Sequence, residues 1–256
     1  MQAARLPASY GWAWLLQGWA LFKRQPMTML FWSLMTSLLI NLSYLIPILG
    51  QLTLIALTPT LGFVALNACV RIERNQPTPL GLWLEPLRTT PVKQAMIRLG
   101  IAYLICCTLA GFIAVLPFTN NILPVLEQDS IDPDALMQVV KAPFMLFGIL
   151  YAGISILFWH APALMGWHHI PLKKALFYSM VACWRNKGAL LIFGFCWFLI
   201  YMAMQWLASL LLHITDASLA HFLITPVNLI VMALLYSSFY PIYRSVFGQN
   251  NLPAKV

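Results

Sequence analysis

Six long apolar runs, none containing Asp, Glu, Lys or Arg, constrain this chain more than any other feature. A run of about 18 or more apolar residues is long enough to cross a bilayer as an α-helix. Only 9% of the 256 residues are charged, against roughly 25% in soluble domains. The sequence therefore predicts an all-α polytopic membrane bundle of six transmembrane helices in a single domain, residues 1–256. The six runs are 27–46, 52–70, 99–118, 143–165, 189–212 and 222–243.

The charged residues separate onto opposite sides of the predicted membrane. With the N-terminus in the cytoplasm, fourteen of the fifteen basic residues fall in cytoplasmic segments, and five of the seven acidic residues fall outside. This distribution is the one that the positive-inside rule describes. We therefore expect a bacterial inner (cytoplasmic) membrane protein with both termini in the cytoplasm. We attribute the net charge of +8 to topology and to contact with membrane lipids, and we do not expect nucleic acid as a partner.

Two segments, "GWAWLLQGWALFKRQP" and "PLKKALFYSMVACWRNKG", have the pattern of amphipathic helices on the cytoplasmic membrane surface. Each spaces large apolar residues about one helical turn apart, ends in basic residues and leads into a predicted span. A third segment, "TPLGLWLEPLRTTPVKQAMIRLG", contains helix starts at Thr78-Pro79 and Thr90-Pro91. Tryptophan is enriched at the depth of the lipid headgroups. The predicted interfacial anchors are Trp12, Trp14, Trp19, Trp83 and Trp184.

The same order of elements recurs along the chain: a surface helix, a span, an outer turn and a span that contains proline. This order predicts a weak internal repeat with units at about 8–70, 76–166 and 170–246. Every unit enters the membrane from the same side, so the repeat is parallel, unlike the inverted repeats of many transporters.

Proline interrupts three of the predicted spans, in Thr58-Pro59, at Pro162 and in Thr225-Pro226. Proline removes a helix hydrogen bond and frees a backbone carbonyl, which needs an internal partner in lipid. We expect the threonine hydroxyls and neighbouring helices to supply such partners. One interpretation is that kinked helices pack around a common centre. The other is that the kinks open a central cavity for a lipid or a small molecule.

His160, in "FWHAPAL", is the one ionisable nitrogen well inside a predicted span, and such residues often indicate function. A metal or haem site would need converging ligands, and no HExxH motif or paired His/Cys spacing surrounds His160 and His168. We expect His160 to donate a hydrogen bond to the kinked backbone near Pro162. No metal and no cofactor are predicted. The candidate cavity or kink residues are Thr58, Pro59, His160, Pro162, Thr225 and Pro226.

Catalytic motifs are missing from the sequence. It contains no paired carboxylates in or facing the membrane, no Gly-rich phosphate loop and no GxSxG elbow. None of the five cysteines lies in a predicted outer loop, so we expect no disulfide framework. We therefore expect a protein that is not an enzyme, with no catalytic residues. The one sizeable outer loop, "TNNILPVLEQDSIDPDALMQVVKAP", is expected to be solvated, with a helix start near Asp132.

Three features carry a resemblance to known proteins: "GWALFKRQP", "FWHAPALMGWHHIPLKKALFYSMVACWRNKGALLIFG" and the Thr-Pro spans. They resemble a family of uncharacterised multi-pass inner-membrane proteins from proteobacteria. More distantly, they are similar to the membrane domain of some bacterial glycerophosphodiester phosphodiesterases. The similarity covers nearly the whole chain, but its motifs are loose: a proline-containing span, a basic helix and Arg185-Asn186. The family supplies no catalytic residues that could be carried over to this chain. The phosphodiesterase domain itself is absent from the sequence, because its metal-binding carboxylates have no counterpart.

Three functional hypotheses follow from these observations. The leading one is a non-enzymatic accessory, scaffold or assembly partner of a membrane complex, so another membrane protein is a possible partner besides lipid. The alternative is a carrier or binding protein for a lipid or small hydrophobic molecule, held in a cavity between the kinked helices. The third is an enzyme or a cofactor protein that uses His160 and His168.

The predicted orientation can be tested with reporter fusions. A reporter fused after Asp129 should be active on the periplasmic side, and one fused after Lys174 should be active in the cytoplasm, because positive residues are retained inside. The reverse pattern would overturn the assignment of sides.

Overall fold

The computed structural model describes residues 3–78, 84–127 and 132–248, and all regular structure within these ranges is helical. Six of its helical segments are long and apolar enough to cross a membrane. The predicted all-α polytopic bundle is therefore confirmed. The helices are α1 (Tyr10–Arg24), α2 (Pro26–Ser43), α3 (Leu49–Glu73), α4 (Glu85–Arg88), α5 (Thr90–Val115), α6 (Thr119–Leu126), α7 (Pro133–Phe158), α8 (Ala161–His168), α9 (Leu172–Arg185), α10 (Lys187–Ile214) and α11 (Ala217–Phe247), with a 3-10 turn at Leu116–Phe118 between α5 and α6.

The outer loop predicted between the third and fourth spans is largely helical. The 3-10 turn and α6 continue the third span, and α7 already begins at Pro133, so that Pro143 lies inside a helix. Asp132 caps α7 by accepting a hydrogen bond from the backbone N–H of Asp134 at 3.0 Å, which confirms the predicted helix start. The loop prediction was wrong because polar side chains do not interrupt a helix whose backbone bonds are made along the chain.

Helix α3 lies at the centre of the bundle and α10 at its edge. In the most apolar 18-residue stretch of α3, 50% is buried within the protein. In the corresponding stretch of α10, only 6% is buried. Helix α3 packs against α2, α5 and α11, and α5 in turn packs against α7. Helix α10 packs mainly against α1 and α11. A site held between several helices is therefore expected beside α3, where the chain has the most neighbours.

Helix α1 packs into the bundle through one face and exposes another. Its packed face is lined by Gly11, Trp14 and Gly18, spaced at three- and four-residue intervals. A Cβ atom on Gly18 would lie 2.8 Å from the Cα of Ser238, so glycine allows α1 and α11 to approach closely. Trp14 has no exposed surface, and its indole N–H donates to the Ser245 hydroxyl at 2.8 Å. Trp14 is therefore a packing residue and not the interfacial anchor that the sequence predicted.

Asn186 connects the N-terminal segment to the rest of the bundle. Its side-chain carbonyl accepts from the Leu6 N–H at 2.9 Å, and its amide donates to the Ala4 and Ala182 carbonyls, both at 2.9 Å. The Ala4 N–H donates in turn to the Val246 carbonyl at 2.8 Å. The asparagine of the Arg185-Asn186 motif thus has a structural role: it holds the start of the chain against the α9–α10 junction and the end of α11.

A cluster of polar side chains joins α1, α3 and α11 at the end of the bundle that carries α1 and α9, called here the basic end. The Glu73 carboxylate accepts hydrogen bonds from Tyr240 and forms an ion pair with Arg244. Arg244 also donates to the Gln17 side chain at 3.2 Å, and Arg24 donates to the Glu73 carbonyl at 3.1 Å. The acidic charge of Glu73 is therefore neutralised where the three helices meet.

The internal repeat stays a prediction. Surface helices α1 and α9 both precede a span, as the repeat requires, and α5 begins at the predicted Thr90-Pro91 start. Trp83 and Pro79, which belong to the predicted middle unit, lie outside the described residues.

Candidate binding cavity

The fourth span is broken at His160, between α7 and α8. In a continuous helix the His160 N–H would donate to the Ile156 carbonyl, four residues earlier. Here the Ser179 hydroxyl, from surface helix α9, accepts from the His160 N–H at 3.0 Å and donates to the Ile156 carbonyl at 3.0 Å. Because unsatisfied backbone groups are costly in lipid, this one hydroxyl allows the break. Pro162 near the start of α8 lacks the N–H that a continuous helix would donate to the Phe158 carbonyl, so a new helix begins here without losing that bond.

The side chain of His160 does not make the hydrogen bond that the sequence predicted. Its ring is 2% exposed and lies against the rings of Tyr243 and Phe247, with centroids 6.0 Å and 5.2 Å away. Within the described parts of the chain, the ring has no hydrogen-bond partner. The Ser179 hydroxyl, and not the His160 ring, therefore bonds to the backbone at the break.

The two Thr-Pro threonines bond to their own helices. The Thr58 hydroxyl donates to the Leu54 carbonyl at 3.0 Å, and the Thr225 hydroxyl donates to the His221 carbonyl at 2.7 Å. Each accepting carbonyl lies one residue before the carbonyl that the following proline frees. The hydroxyls therefore reinforce the turn before each proline without replacing the lost hydrogen bond.

A cavity of about 220 Å³ lies beside the break, between α3, α5, α7 and α11. Four of the six candidate residues line it: Thr58, Pro59, His160 and Pro162. The other lining residues are Gly62, Leu66, Tyr103, Tyr151, Ser155, Phe158, Trp159, Phe239 and Tyr243.

Thr225 and Pro226 are exposed on α11 and do not line the cavity, contrary to the prediction. Pro226 lies in the half of α11 farther from the basic end, whereas the lining residue Phe239 lies much nearer to that end. The similar motifs at Pro59 and Pro226 thus occupy different environments, since Pro59 is buried at the cavity wall.

The floor of the cavity is buried and its rim is exposed. Phe158, His160 and Tyr243 form part of the floor, whereas Thr58 and Tyr151 at the rim are exposed, Tyr151 by 41%. Thr58 is roughly 20 Å along α3 from the polar end of that helix at the 1.5 Å rise per residue. The rim therefore opens at the depth of the acyl chains and not to water.

Three tyrosine hydroxyls and one imidazole are among the polar groups of the cavity wall. The Tyr103 and Tyr151 hydroxyls are hydrogen-bonded to each other at 2.9 Å. The Tyr243 hydroxyl is hydrogen-bonded to Nε2 of His168 at 2.8 Å, and the two rings are stacked. The ring of His160 contributes the imidazole. His168 is thus engaged by a tyrosine and does not converge with His160 on a common ligand.

The described residues contain no group of three or more His, Cys, Asp or Glu side chains arranged to hold a metal ion. All five cysteines are free thiols. Outside the spans, burial in α9 raises the pKa of the Cys183 thiol to about 12, so this thiol stays protonated at neutral pH.

Three of the predicted anchors, Trp12, Trp19 and Trp184, are exposed, whereas Trp83 lies outside the described residues. Trp12, Trp19 and Trp184 are 56%, 45% and 67% exposed. Lys23 lies 5.6 Å above the ring of Trp19, and Lys187 lies 4.6 Å above the ring of Trp184. Such Lys–Trp pairs suit the headgroup region, where an apolar ring and a cation are stable at the same depth.

Sequence reasoning missed Tyr103, Tyr151 and Ser155 in the cavity and Ser179 at the break. These residues come from three different helices, and only Ser179 lies in one of the quoted segments, where its hydroxyl was given no role. Only the position of polar side chains in an otherwise apolar span could have marked Tyr103, Tyr151 and Ser155. Nothing in the sequence relates Ser179 to His160.

The fold and the apolar site define a polytopic integral membrane protein. The chain is 30% identical to "Probable inner membrane protein BTH_II0599" of Burkholderia thailandensis over an alignment of 258 residues. The alignment covers 97% of this chain and 94% of that protein. This protein belongs to the same family of inner membrane proteins. No protein-family model and no solved structure matches the chain. The distant similarity to glycerophosphodiester phosphodiesterases has no support in these comparisons and rests on the resemblance alone.

Replacing Ser179 with Ala should destabilise the protein because it leaves both the His160 N–H and the Ile156 carbonyl without their partner. We expect a loss of about 1–3 kcal/mol in the free energy of unfolding, the cost of unsatisfied buried polar groups. Reversible unfolding in detergent micelles measures it.

The matched control is Ser33→Ala, because Ser33 is equally buried but its hydroxyl donates to the Met29 carbonyl within one regular helix. That carbonyl keeps its helical partner, so the expected loss is smaller, below ~1 kcal/mol. Equal losses for the two variants would contradict the role assigned to Ser179.

Proposed function

We propose that this inner membrane protein binds and carries a small hydrophobic molecule, or the apolar part of a lipid, in the cavity beside the broken fourth span. The observation that carries the proposal is the cavity of about 220 Å³ beside α3, which is buried at its floor and open at its rim. Protein interiors are normally close-packed, with few voids larger than a water molecule. A cavity of ~150 Å³ in another protein is large enough to bind benzene.

The lining of the cavity has the composition of a ligand pocket. Apolar and aromatic side chains form most of the wall, and a few polar groups are placed among them, including His160 and the Tyr103–Tyr151 pair. Pockets that bind small molecules have this combination, because apolar area supplies affinity and a few polar groups fix orientation.

The position of the opening supports a ligand that arrives through the membrane. Thr58 and Tyr151 are exposed at the rim, at the depth of the acyl chains. A hydrophobic molecule could therefore enter sideways without crossing water. Pro59 and His160 both line the cavity. The cavity therefore lies where two spans depart from regular helical hydrogen bonding.

Filling the cavity should abolish binding, and Gly62 offers a direct way to fill it. A Cβ atom on Gly62 would meet no heavy atom within 4 Å, and Gly62 lines the cavity. In native mass spectra of gently extracted protein, we expect the wild type to carry a bound hydrophobic molecule of defined mass. Gly62→Leu should reduce the bound fraction at least tenfold, because its side chain occupies the site.

The control is Gly194→Leu, since Gly194 is helical, is equally free of neighbours within 4 Å and lies on α10 away from the cavity. It should leave the bound fraction unchanged. Wild-type protein that carries no molecule and takes up no added hydrophobic probe would overturn the proposal, as would equal loss in both variants.

We also propose that both termini are cytoplasmic. The polar ends of α3 and α11 and the surface helices α1 and α9 lie at the basic end, where lysine and arginine residues predominate. The positive-inside rule supports a cytoplasmic location for that end.

A role as accessory or assembly partner is a second candidate, favoured by one feature of α10. Only 6% of the most apolar stretch of this helix is buried within the protein. The side chain of Gln205 is exposed in the interior of the same helix. The Gln205 amide has no hydrogen-bond partner among the described residues. Amides within spans commonly bond across helices, which supports a partner helix at this face. This function requires a reproducible protein partner in the native mass spectra that is lost in Gln205→Leu.

A further inference from the structure

The cavity is charge-free, contains unused hydrogen-bonding groups and is lined by aromatic rings. From these properties we infer that its ligand is a neutral, single-ring molecule whose ring bears carbonyl or hydroxyl oxygens, of the benzoquinone type, with an apolar tail that leaves through the rim. This inference rests on the proposed binding function and specifies the chemical class of the ligand.

Charge excludes most membrane lipids as the occupant. None of the thirteen described residues that line the cavity is Asp, Glu, Lys or Arg. Burying an ionised group without an opposite charge is strongly unfavourable. The phosphate of a phospholipid and the carboxylate of a fatty acid would therefore remain outside, and only a neutral headgroup suits this wall.

The buried ring of His160 calls for a hydrogen-bonding ligand and not a bare hydrocarbon. It is 2% exposed, lines the cavity and has no hydrogen-bond partner among the described residues. A neutral imidazole has one N–H donor and one acceptor nitrogen. Because the ring lines the cavity and receives no hydrogen bond from the described residues, an oxygen of the ligand could accept from its N–H.

The tyrosine pair supplies a second donor. The Tyr103 and Tyr151 hydroxyls bond to each other at 2.9 Å, and the Tyr103 side chain also interacts with the Cys107 thiol. When Tyr103 donates to Tyr151, the Tyr151 hydroxyl hydrogen is left to donate to a ligand. Both residues line the cavity, and Tyr151 is at the rim. His160 is at the floor. The two donors thus lie at different depths, which suits a ring with two oxygens better than a single alcohol group.

Size and shape favour one flat ring. Six aromatic residues line the cavity, and Trp159 and Phe239 meet edge to face with centroids 5.2 Å apart. Planar aromatic walls pack well against a planar ligand. The volume of about 220 Å³ exceeds that of a cavity that binds benzene, so it holds one substituted ring but not a diacyl lipid body.

The test is a native mass spectrometry titration of the full-length protein in detergent micelles with four probes. These are a 1,4-benzoquinone with one short isoprenyl tail, the matching isoprenyl hydrocarbon, a saturated fatty acid and a diacylglycerol. We expect the benzoquinone to bind most tightly. In Tyr151→Phe and His160→Phe its affinity should fall roughly fivefold to tenfold, the effect of losing one hydrogen bond.

The hydrocarbon affinity should be unchanged in both variants, because neither loses apolar surface. Tyr201→Phe is the control, since Tyr201 is exposed on α10 and does not line the cavity. Tyr151 is at the rim and its replacement removes only a hydroxyl, so this variant keeps the test valid if His160→Phe fails to fold.

The outcomes separate the two proposals. Tighter binding of the fatty acid or the diacylglycerol would overturn the inference while leaving the binding function standing. Unchanged benzoquinone affinity in both variants would also overturn the inference, because the ligand would then make no hydrogen bond to either residue. Failure of all four probes to bind would overturn the binding function together with the inference.

Discussion

The Ser179 hydroxyl occupies the place of a backbone hydrogen bond that the fourth span loses at His160, and the shape of the bundle centre depends on it. It accepts from one backbone group and donates to the other, each at 3.0 Å. In lipid no water is available to do this. The break in turn places the His160 ring against Tyr243 and Phe247 and away from the helix axis. The cavity between α3, α5, α7 and α11 lies directly beside it.

Surface helix α9 must be fixed in position for its serine to bridge the break. Its packed face consists of small residues, among them Ala175 and Ala182, which allow close approach. At its end, Asn186 is bonded to the N-terminal segment, which is bonded in turn to the end of α11. Together with the Glu73–Arg244 ion pair, these contacts connect α1, α3, α9 and α11 at the basic end.

The sequence predicted the features that depend on local patterns. Apolar runs located all six spans, Thr90-Pro91 and Asp132 marked helix starts, and proline marked two of the walls of the cavity. The sequence did not predict which face of a helix packs into the bundle when both faces are apolar. In α1, Trp12 and Trp14 look equivalent by composition, yet Trp12 faces outward and Trp14 packs under Phe193 and Ser245. It also could not relate hydroxyls on separate helices, because tertiary packing alone brings them together.

Cryo-electron microscopy of the full-length protein in lipid nanodiscs tests the link between the broken span and the cavity most directly. The expected map shows the fourth span interrupted at His160, the Ser179 side chain between the two helix ends, and elongated non-protein density from the floor near His160 to the rim near Tyr151. A continuous fourth span, or a cavity closed by the surrounding side chains, would contradict it.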